Sequence, residues 1–425
     1  MAFQKGAGVV EVKFGPRVAL FEYAGIPMAA NLSNGFVVGL TAQGAALCCR
    51  LMEGSVPIEE AREQEEALVD YLEHADFFDP DPCANQLRSA YLHVTQRCNL
   101  SCIGCYSLND SRNVCQDAST AQLMEAIEQL AHAGASSVFF SGGEPFLRDD
   151  LGVLARHAKK CGIAKITIIT NGTCLSMRAL EELSAHVDAV AVSFDGYSET
   201  APSHIRGSQR FQQLVRAVRM VQEAGIHAHI IPTIHRLNVR DLEKYAELSR
   251  SLGTTMNYSL LSCECSDRGE LRDLLPDQTA LRVLADCLLG LGMPLAATDG
   301  PAGINLSARV SCGAGCKEIS IDADGTVYPC HMLHRPDYEM GNVFADSLDN
   351  ILQGDLARKL RALSVADIHE CRECEYQLLC GGGCRARSVY EGDGLCGCDP
   401  YCDFSRHYYR RLGALLADVA SAHPQ

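Results

Sequence analysis

Residues 1–20 lack a cationic start followed by an apolar core, so the sequence offers no secretory signal and we expect a cytoplasmic protein. Long hydrophobic runs are missing as well. The longest, around Leu284–Ala297, is interrupted by Asp286 and is too short to cross a bilayer. There is no excess of basic residues. Against 37 Lys and Arg stand 53 Asp and Glu, and a formal charge of −16 argues against nucleic acid or an anionic membrane as the main partner. What remains is ordinary for a globular protein with a large core: 425 residues, 47% hydrophobic and 21% charged, enough for two or three domains.

One residue type is in excess. The chain has 22 cysteines, and in a reducing compartment such a number points to metal clusters before disulfides. Cys98, Cys102 and Cys105 lie in the run Cys98-Asn-Leu-Ser-Cys102-Ile-Gly-Cys105-Tyr106. Three thiolates so spaced can hold three corners of an iron–sulfur cubane, leaving one iron open to another ligand. The alternative is structural zinc, which wants four ligands. No nearby His or Cys completes the set, with Cys115, ten residues on, the conceivable fourth.

Three zones follow one another. In residues 1–85, Val9–Phe14 and Arg17–Tyr23 read as a hairpin with a turn at Gly15-Pro16, and Gly35–Leu40 as a third strand. Thr41–Met52 reads as a helix capped by Thr41, and Ile58–Phe77 carries further helical periodicity before an Asp- and Pro-rich linker at Asp79–Cys83. In the second zone, short apolar strands are expected at Tyr91–Thr95, Ser137–Ser141, Lys165–Thr170, Ala189–Phe194, His229–Thr233 and Met256–Leu261. Between them lie helical stretches at Leu123–Ala131, Leu151–Cys161, Arg178–His186, Phe211–Ala224 and Leu242–Ser251. Repeated βα units imply a parallel sheet, open or closed into a barrel, with its site at the C-terminal ends of the strands. The cysteine run directly follows the first strand. The third zone, residues 305–405, is rich in cysteine and glycine and weak in periodicity, so we expect clusters, and not an apolar core, to organise it.

Other motifs also end strands. Ser141-Gly142-Gly143-Glu144-Pro145 reads either as a plain turn or as backbone shaped to approach a ligand, with Glu144 able to accept from an amino group. Asn171-Gly172-Thr173 and Ser193-Phe194-Asp195-Gly196 read as turns in isolation, and gain interest from their shared position. Arg206 is either a carboxylate partner or a solvated arginine. In the third zone, Cys312-Gly-Ala-Gly-Cys316 precedes Asp324-Gly325-Thr-Val-Tyr328-Pro329-Cys330. Then come Cys371-x2-Cys374-x5-Cys380-x3-Cys384 and Cys396, Cys398 and Cys402. A pair of structural zinc sites is the alternative to clusters here.

Together these residues resemble the radical S-adenosylmethionine (SAM) enzymes that carry a C-terminal SPASM extension, over roughly residues 88–405. The resemblance implies an α/β fold: a partial (β/α)6 TIM-barrel radical SAM core at 86–300, a winged-helix-like domain at 1–85 and a SPASM domain at 301–425. It implies that Cys98, Cys102 and Cys105 hold a 4Fe–4S cluster whose open iron binds SAM, and that SAM is cleaved to a 5′-deoxyadenosyl radical. The Gly142, Gly143, Glu144 and Pro145 run would bind the methionine amino group and Tyr106 would lie near the adenine. Asn171, Ser193 and Arg206 would complete the SAM site. Two auxiliary 4Fe–4S clusters are implied, one on Cys312, Cys316, Cys330 and Cys384, the other on Cys371, Cys374, Cys380 and Cys402. That makes three clusters, with Cys396 and Cys398 left over.

Residues 1–85 are similar to the small domain with which peptide-modifying members bind a leader peptide by strand addition. The edge would be Gly35–Leu40 and the adjoining helix about Glu65–Leu72, a plain N-terminal cap on the barrel being the alternative. The family resemblance thus implies an oxidoreductase maturing a ribosomally made precursor peptide, with thioether formation first and carbon–carbon cross-linking second, served by a flavodoxin or ferredoxin. Other readings are a sulfatase-type protein maturase, a small-molecule dehydrogenase, and an electron carrier or zinc scaffold without catalysis. Sulfatase-maturing members place an aspartate after the last cysteine of the Tyr-Pro-Cys run, whereas His331 stands there in this chain.

Overall fold

The computed structural model describes residues 10–78, 87–207, 210–262, 269–291 and 306–422, with side chains to 418. The expected linker at Asp79–Cys83 and the domain limits at 85/86 and 300/301 lie outside the described residues.

The first strands are β1 (Glu11–Val12), β2 (Val18–Tyr23), β3 (Ile26–Asn31), β4 (Val37–Gly39) and β5 (Val56–Pro57). The expected hairpin across Gly15-Pro16 does not form. β1 pairs with β5, and β2 pairs with β3, which in turn pairs with β4. Proline supplies no N–H, and the neighbouring amides turn elsewhere: Phe14 N–H donates to Leu51 O and Gly15 N–H to Phe77 O. The actual hairpin turns at Ala24-Gly25, both at positive φ (54° and 78°), the geometry that a two-residue turn between twisted strands demands. Helix α1 (Ala42–Glu53) starts as expected, with Thr41 Oγ1 accepting from Gly44 N–H at 2.9 Å. Helix α2 (Ile58–His74) kinks at Glu65, whose carboxylate accepts from the Thr41 hydroxyl at 2.6 Å. Three helical segments therefore follow the three-stranded sheet, around a separate core that includes Leu47, Leu51, Val69, Leu72 and Phe77.

The central sheet holds β6 (Ser89–Thr95), β7 (Ser137–Gly142), β8 (Lys165–Thr170), β9 (Ala189–Phe194), β10 (His227–Ile234), β11 (Thr255–Met256) and β12 (Ser259–Leu260). All neighbouring pairs among them are parallel. Helices α3 (Thr120–His132), α4 (Leu151–Lys160), α5 (Met177–Leu183), α6 (Phe211–Glu223) and α7 (Leu242–Leu252) return the chain between strands. Leu123, Ile127 and Leu130 share one face of α3 and are fully buried, each stabilising the fold by about 1.5–3 kcal/mol.

Beyond α8 (Gly269–Leu274) and α9 (Gln278–Leu291), the third zone departs from expectation. It adds β13 (Glu318–Ile321), β14 (Thr326–Tyr328) and β15 (Gly341–Asn342) to the central sheet, β13 running parallel to β6. Ile319, Ile321 and Val327 join the main core, and Met332, Leu333, Leu360, Ala386, Val389 and Leu395 form another. This zone thus has an apolar core of its own in addition to its thiols. The final helix, Cys402–Ala422, packs along α9, where Asp286 meets His407 at 3.0 Å. No helix among the described residues is long and apolar enough to cross a membrane.

Candidate active site

The C-terminal ends of β6 to β10 converge on the loop that carries Cys98, Cys102 and Cys105. That loop is tied down from several sides. Cys98 N–H donates to Asn113 Oδ1 at 2.7 Å, Ile103 N–H to Ile205 O at 3.0 Å, and Asn171 Nδ2 to Asn99 Oδ1 at 2.9 Å. Gly142 and Gly143 face the same loop: Gly143 N–H donates to Thr95 O at 2.7 Å and Glu144 N–H to Arg97 O at 2.8 Å. A Cβ on Gly143 would stand 1.9 Å from Arg97 O. The close approach that these glycines permit is to the backbone leading into Cys98.

Glu144 is fully buried. One carboxylate oxygen accepts from Thr170 Oγ1 (2.7 Å) and Phe146 N–H (3.2 Å), the other from Asn171 N–H (2.8 Å). Burial raises its pKa, against the pull of these three donors. Its carboxylate clamps the ends of β7 and β8 together. Asn171, likewise, spends its side chain on Asn99 and Thr173.

A cavity of about 870 Å³, open mouth included, lies over the strand ends. Cys102, Cys105, Tyr106, Ser193 and Arg206 line it, with Thr233 and with His331 and Met332 from the third zone. The Tyr106 hydroxyl is 2.6 Å from Ser141 Oγ, and burial pushes its pKa up to about 12, so it stays a neutral phenol. Arg206 reaches Phe194 O and Thr233 Oγ1 at 3.3 and 3.4 Å, while its backbone N–H and that of Ile205 donate to Asp195. Burial raises the pKa of Cys102, with the Arg206 guanidinium opposing.

A second cavity, about 820 Å³, adjoins the first. Cys312, Cys330 and Cys384 line it, as does Cys380, which the resemblance assigns to the other auxiliary cluster; Cys316 is not among its lining residues. Burial pushes the Cys330 thiol well up, assisted by Cys384, Glu318 and Cys312. Cys371 lies among Cys398, Cys380 and Cys374, and Cys402 beside Cys398 and Cys380. His331 lines both cavities. It stacks on Tyr91 at 4.2 Å and meets the edge of Tyr106 at 5.2 Å.

Ligands of one zinc crowd within a few ångströms of one another. Among the described residues, two groups bring three ligand atoms within 4.8 Å: His93, Asp322 and His334, and Glu128, His157 and Cys161. None of the thiols expected to bind clusters belongs to either. A buried thiol would lose its proton on binding metal.

Sequence reasoning missed the buried group His93, Asp322 and His334. Asp322 accepts from Gln96 and Asn109 of the cysteine loop, from Ala323 N–H, and lies 3.3 Å from His93 Nδ1. Burial and the neighbouring His334 lower the His93 pKa to about 4. The available signal was a histidine in the interior of an otherwise apolar strand.

Comparison with known proteins bears on these features. A family model described as the radical SAM superfamily matches residues 92–249, and one described as an iron–sulfur cluster-binding domain (SPASM) matches residues 312–375. The chain is 30% identical over 326 residues to the mycofactocin maturase MftC of Mycolicibacterium smegmatis, covering 73% of this chain and 81% of that protein. It is 28% identical over 333 residues to the PqqA peptide cyclase of Gluconobacter oxydans, covering 76% and 92%. SuiB of Streptococcus suis, solved with bound S-adenosylmethionine, shares the fold at a TM-score of 0.62 and 17% identity, over 92% of this chain and 99% of that one.

Proposed function

From the premise that this chain belongs to the radical SAM superfamily and carries its SPASM iron–sulfur domain, we propose that it is a peptide maturase with three 4Fe–4S clusters. The first sits on Cys98, Cys102 and Cys105. The others take Cys312, Cys316, Cys330 and Cys384, and Cys371, Cys374, Cys380 and Cys402. When bound, SAM and its cluster supply a hydrogen-abstracting radical, and the auxiliary clusters an outlet for the electron left as a new bond closes.

The observation that carries this reading is the composition of the larger cavity. Cys102, Cys105 and Tyr106 line it together with His331 and Met332, the residue before His331 being the proposed cluster cysteine Cys330. A substrate held there lies between two redox centres, which a one-hydrogen abstraction followed by loss of an electron needs. Ser193 and Arg206 offer a hydroxyl and a cation for the ribose and carboxylate of SAM. Gly142, Gly143, Glu144 and Pro145 would meet the methionine amino group of SAM, while Gly143, Glu144 and Asn171 also hold the cysteine loop in place. Tyr106 presents a neutral ring to the adenine.

The N-terminal sheet is suited to a leader peptide. β4 is an edge strand, and Phe36 before it is about half exposed, edge-on to Tyr71 of α2. An added strand on β4 would run against the second half of α2. The named relatives, a mycofactocin maturase and a PqqA peptide cyclase, favour a peptide substrate. We assign the bond as a thioether before a carbon–carbon link, with a flavodoxin or ferredoxin as reductant. Anaerobically reconstituted protein given SAM, dithionite and the short peptides encoded beside its gene tests this. A peptide lighter by two hydrogens, formed together with 5′-deoxyadenosine, is expected. SAM cleavage with every peptide unchanged refutes the peptide reading.

A further inference from the structure

Helices α3 and α4 bring three kinds of metal ligand together away from the strand ends. His157 lies in the last turn of α4 and Cys161, four residues on, caps that helix, so the two share a face; Glu128 comes from α3, which packs alongside. His157 Nε2 lies 2.9 Å from Glu128 Oε1 and 3.5 Å from Cys161 Sγ, and the three ligand atoms all fall within 4.8 Å of one another. The His157 side chain is 16% exposed and that of Glu128 60%, so the group opens to solvent on the Glu128 side, while Cys161 packs against the main core. An ion pair between His157 and Glu128 does not call for a thiol on the same nitrogen. The other three-ligand group is built differently. His93 and His334 stack at 4.6 Å and Asp322 already accepts from Gln96, Asn109 and Ala323, so the lone pairs of the two rings do not meet at one ion.

Bond lengths at zinc put a nitrogen and a sulfur of one tetrahedral ion about 3.5 Å apart, and a nitrogen and a carboxylate oxygen about 3.3 Å apart. The first separation is already met. The second needs the exposed Glu128 carboxylate to back away by about 0.4 Å from its present 2.9 Å. We propose that Glu128, His157 and Cys161 form a binding site for a divalent ion of the zinc class, with water as the fourth ligand. Imidazole, thiolate and carboxylate together suit such an ion, whereas magnesium and calcium take oxygen ligands. On binding, the ion forms bonds to Nε2, Sγ and a carboxylate oxygen, the thiol proton leaves to solvent, and no oxidation state changes. α3 leads into β7 and α4 follows the Gly142–Pro145 run, so the ion clasps two helices that back the active-site strands. None of its ligands is a proposed cluster thiol, and the proposal stands apart from the three-cluster reading.

Equilibrium dialysis of the anaerobically reconstituted full chain against zinc sulfate, followed by elemental analysis for zinc and iron, tests this. The wild type should take up about one zinc more per chain than either His157→Gln or Cys161→Ala, with equal iron in all three. Zinc held elsewhere cancels in that difference, and the equal iron separates loss of this site from loss of a cluster. A variant that takes up as much zinc as the wild type overturns the proposal. Should the variants not fold by circular dichroism, alkylation of the wild type decides. With free zinc at about ten times the dissociation constant that dialysis gives, N-ethylmaleimide should label Cys161 about tenfold more slowly than without zinc, as read by peptide mass spectrometry. The exposed thiol of Cys49 is the internal control and should keep its rate. A Cys161 that is labelled equally fast with and without zinc overturns the site.

Discussion

Gly143→Ala should stop SAM cleavage without unfolding the protein. The added Cβ would meet Arg97 O at 1.9 Å, Arg97 C at 2.6 Å and Arg112 Nη1 at 2.9 Å. The Arg112 side chain can yield, but the Arg97 backbone is the strand exit into Cys98. Ordinary contact begins at 3.4 Å, so the Arg97 carbonyl must retreat from 1.9 Å by about 1.5 Å. Arg97 is held on three sides, by Thr95 Oγ1 at 3.0 Å, Asp117 at 2.8 Å and Leu147 O at 2.7 Å. The displacement therefore passes into the loop that bears the cluster thiols. Overpacking of this kind costs about 1–3 kcal/mol, within the 5–15 kcal/mol that a domain typically has in hand. A misplacement of about 1 Å costs about 10²-fold in rate, so 5′-deoxyadenosine formation under dithionite should fall at least that far. Gly225→Ala is the control, because its Cβ meets nothing within 4 Å and bears only the strain of φ +76°. A Gly143→Ala enzyme that keeps its irons and cleaves SAM within roughly threefold of wild type would refute the argument.

Cys102→Ala should abolish 5′-deoxyadenosine formation, whereas Cys374→Ala should keep it and lose the modified peptide; chromatography and mass spectrometry read both. His93, depressed from 6.5 to about 4 chiefly by burial, should contribute stability in full above pH 6.5 and lose it as pH falls through the lowered value, about 3 kcal/mol in all. Thermal unfolding against pH should therefore show a slope between pH 6.5 and 4 that His93→Gln flattens; an equal slope in both proteins counts against a buried neutral histidine. On β4, Phe36 O and Leu40 N–H serve β3, so the amide of Val37 faces away. Val37→Pro removes that donor and should weaken leader-peptide binding about tenfold by calorimetry, with SAM cleavage unchanged.

The parts of the fold that were legible from sequence are those whose signal is local. Lys165–Thr170 and Ala189–Phe194 are short apolar runs bounded by turn residues, buried on both faces, and their ends fall where the pattern ends. The N-terminal hairpin was misread because its turn contains Ala24 at φ 54°, a conformation that composition does not announce, while Gly15-Pro16 advertises a turn that serves another purpose. β13 to β15 were invisible because they are two to four residues long and because Ile319 and Ile321 find their partners in β6, more than two hundred residues away. The thiols stood out by number alone. The environment of Glu144 did not, since nothing local says that Thr170, Phe146 and Asn171 converge on its carboxylate.

That non-local pairing has a functional consequence. Because β13 lies beside β6, the loop through Cys330 and His331 reaches the same end of the sheet as the Cys98–Tyr106 loop, and Tyr91 and Tyr106 hold His331 between the two cavities. Asp322, at the end of β13, fastens the arrangement by accepting from Gln96 and Asn109 on either side of the cluster thiols. Asp322→Asn keeps the shape and an oxygen for Gln96 and Ala323, but turns an amide donor toward Asn109 Nδ2, a mismatch of about 1–3 kcal/mol. The two loops should then lose register while each keeps its own thiols. SAM cleavage should persist, and the ratio of 5′-deoxyadenosine to modified peptide should rise, as radicals form without a correctly placed substrate. If cleavage and product fall together at a constant ratio, Asp322 supports the fold and not the coupling of the two sites.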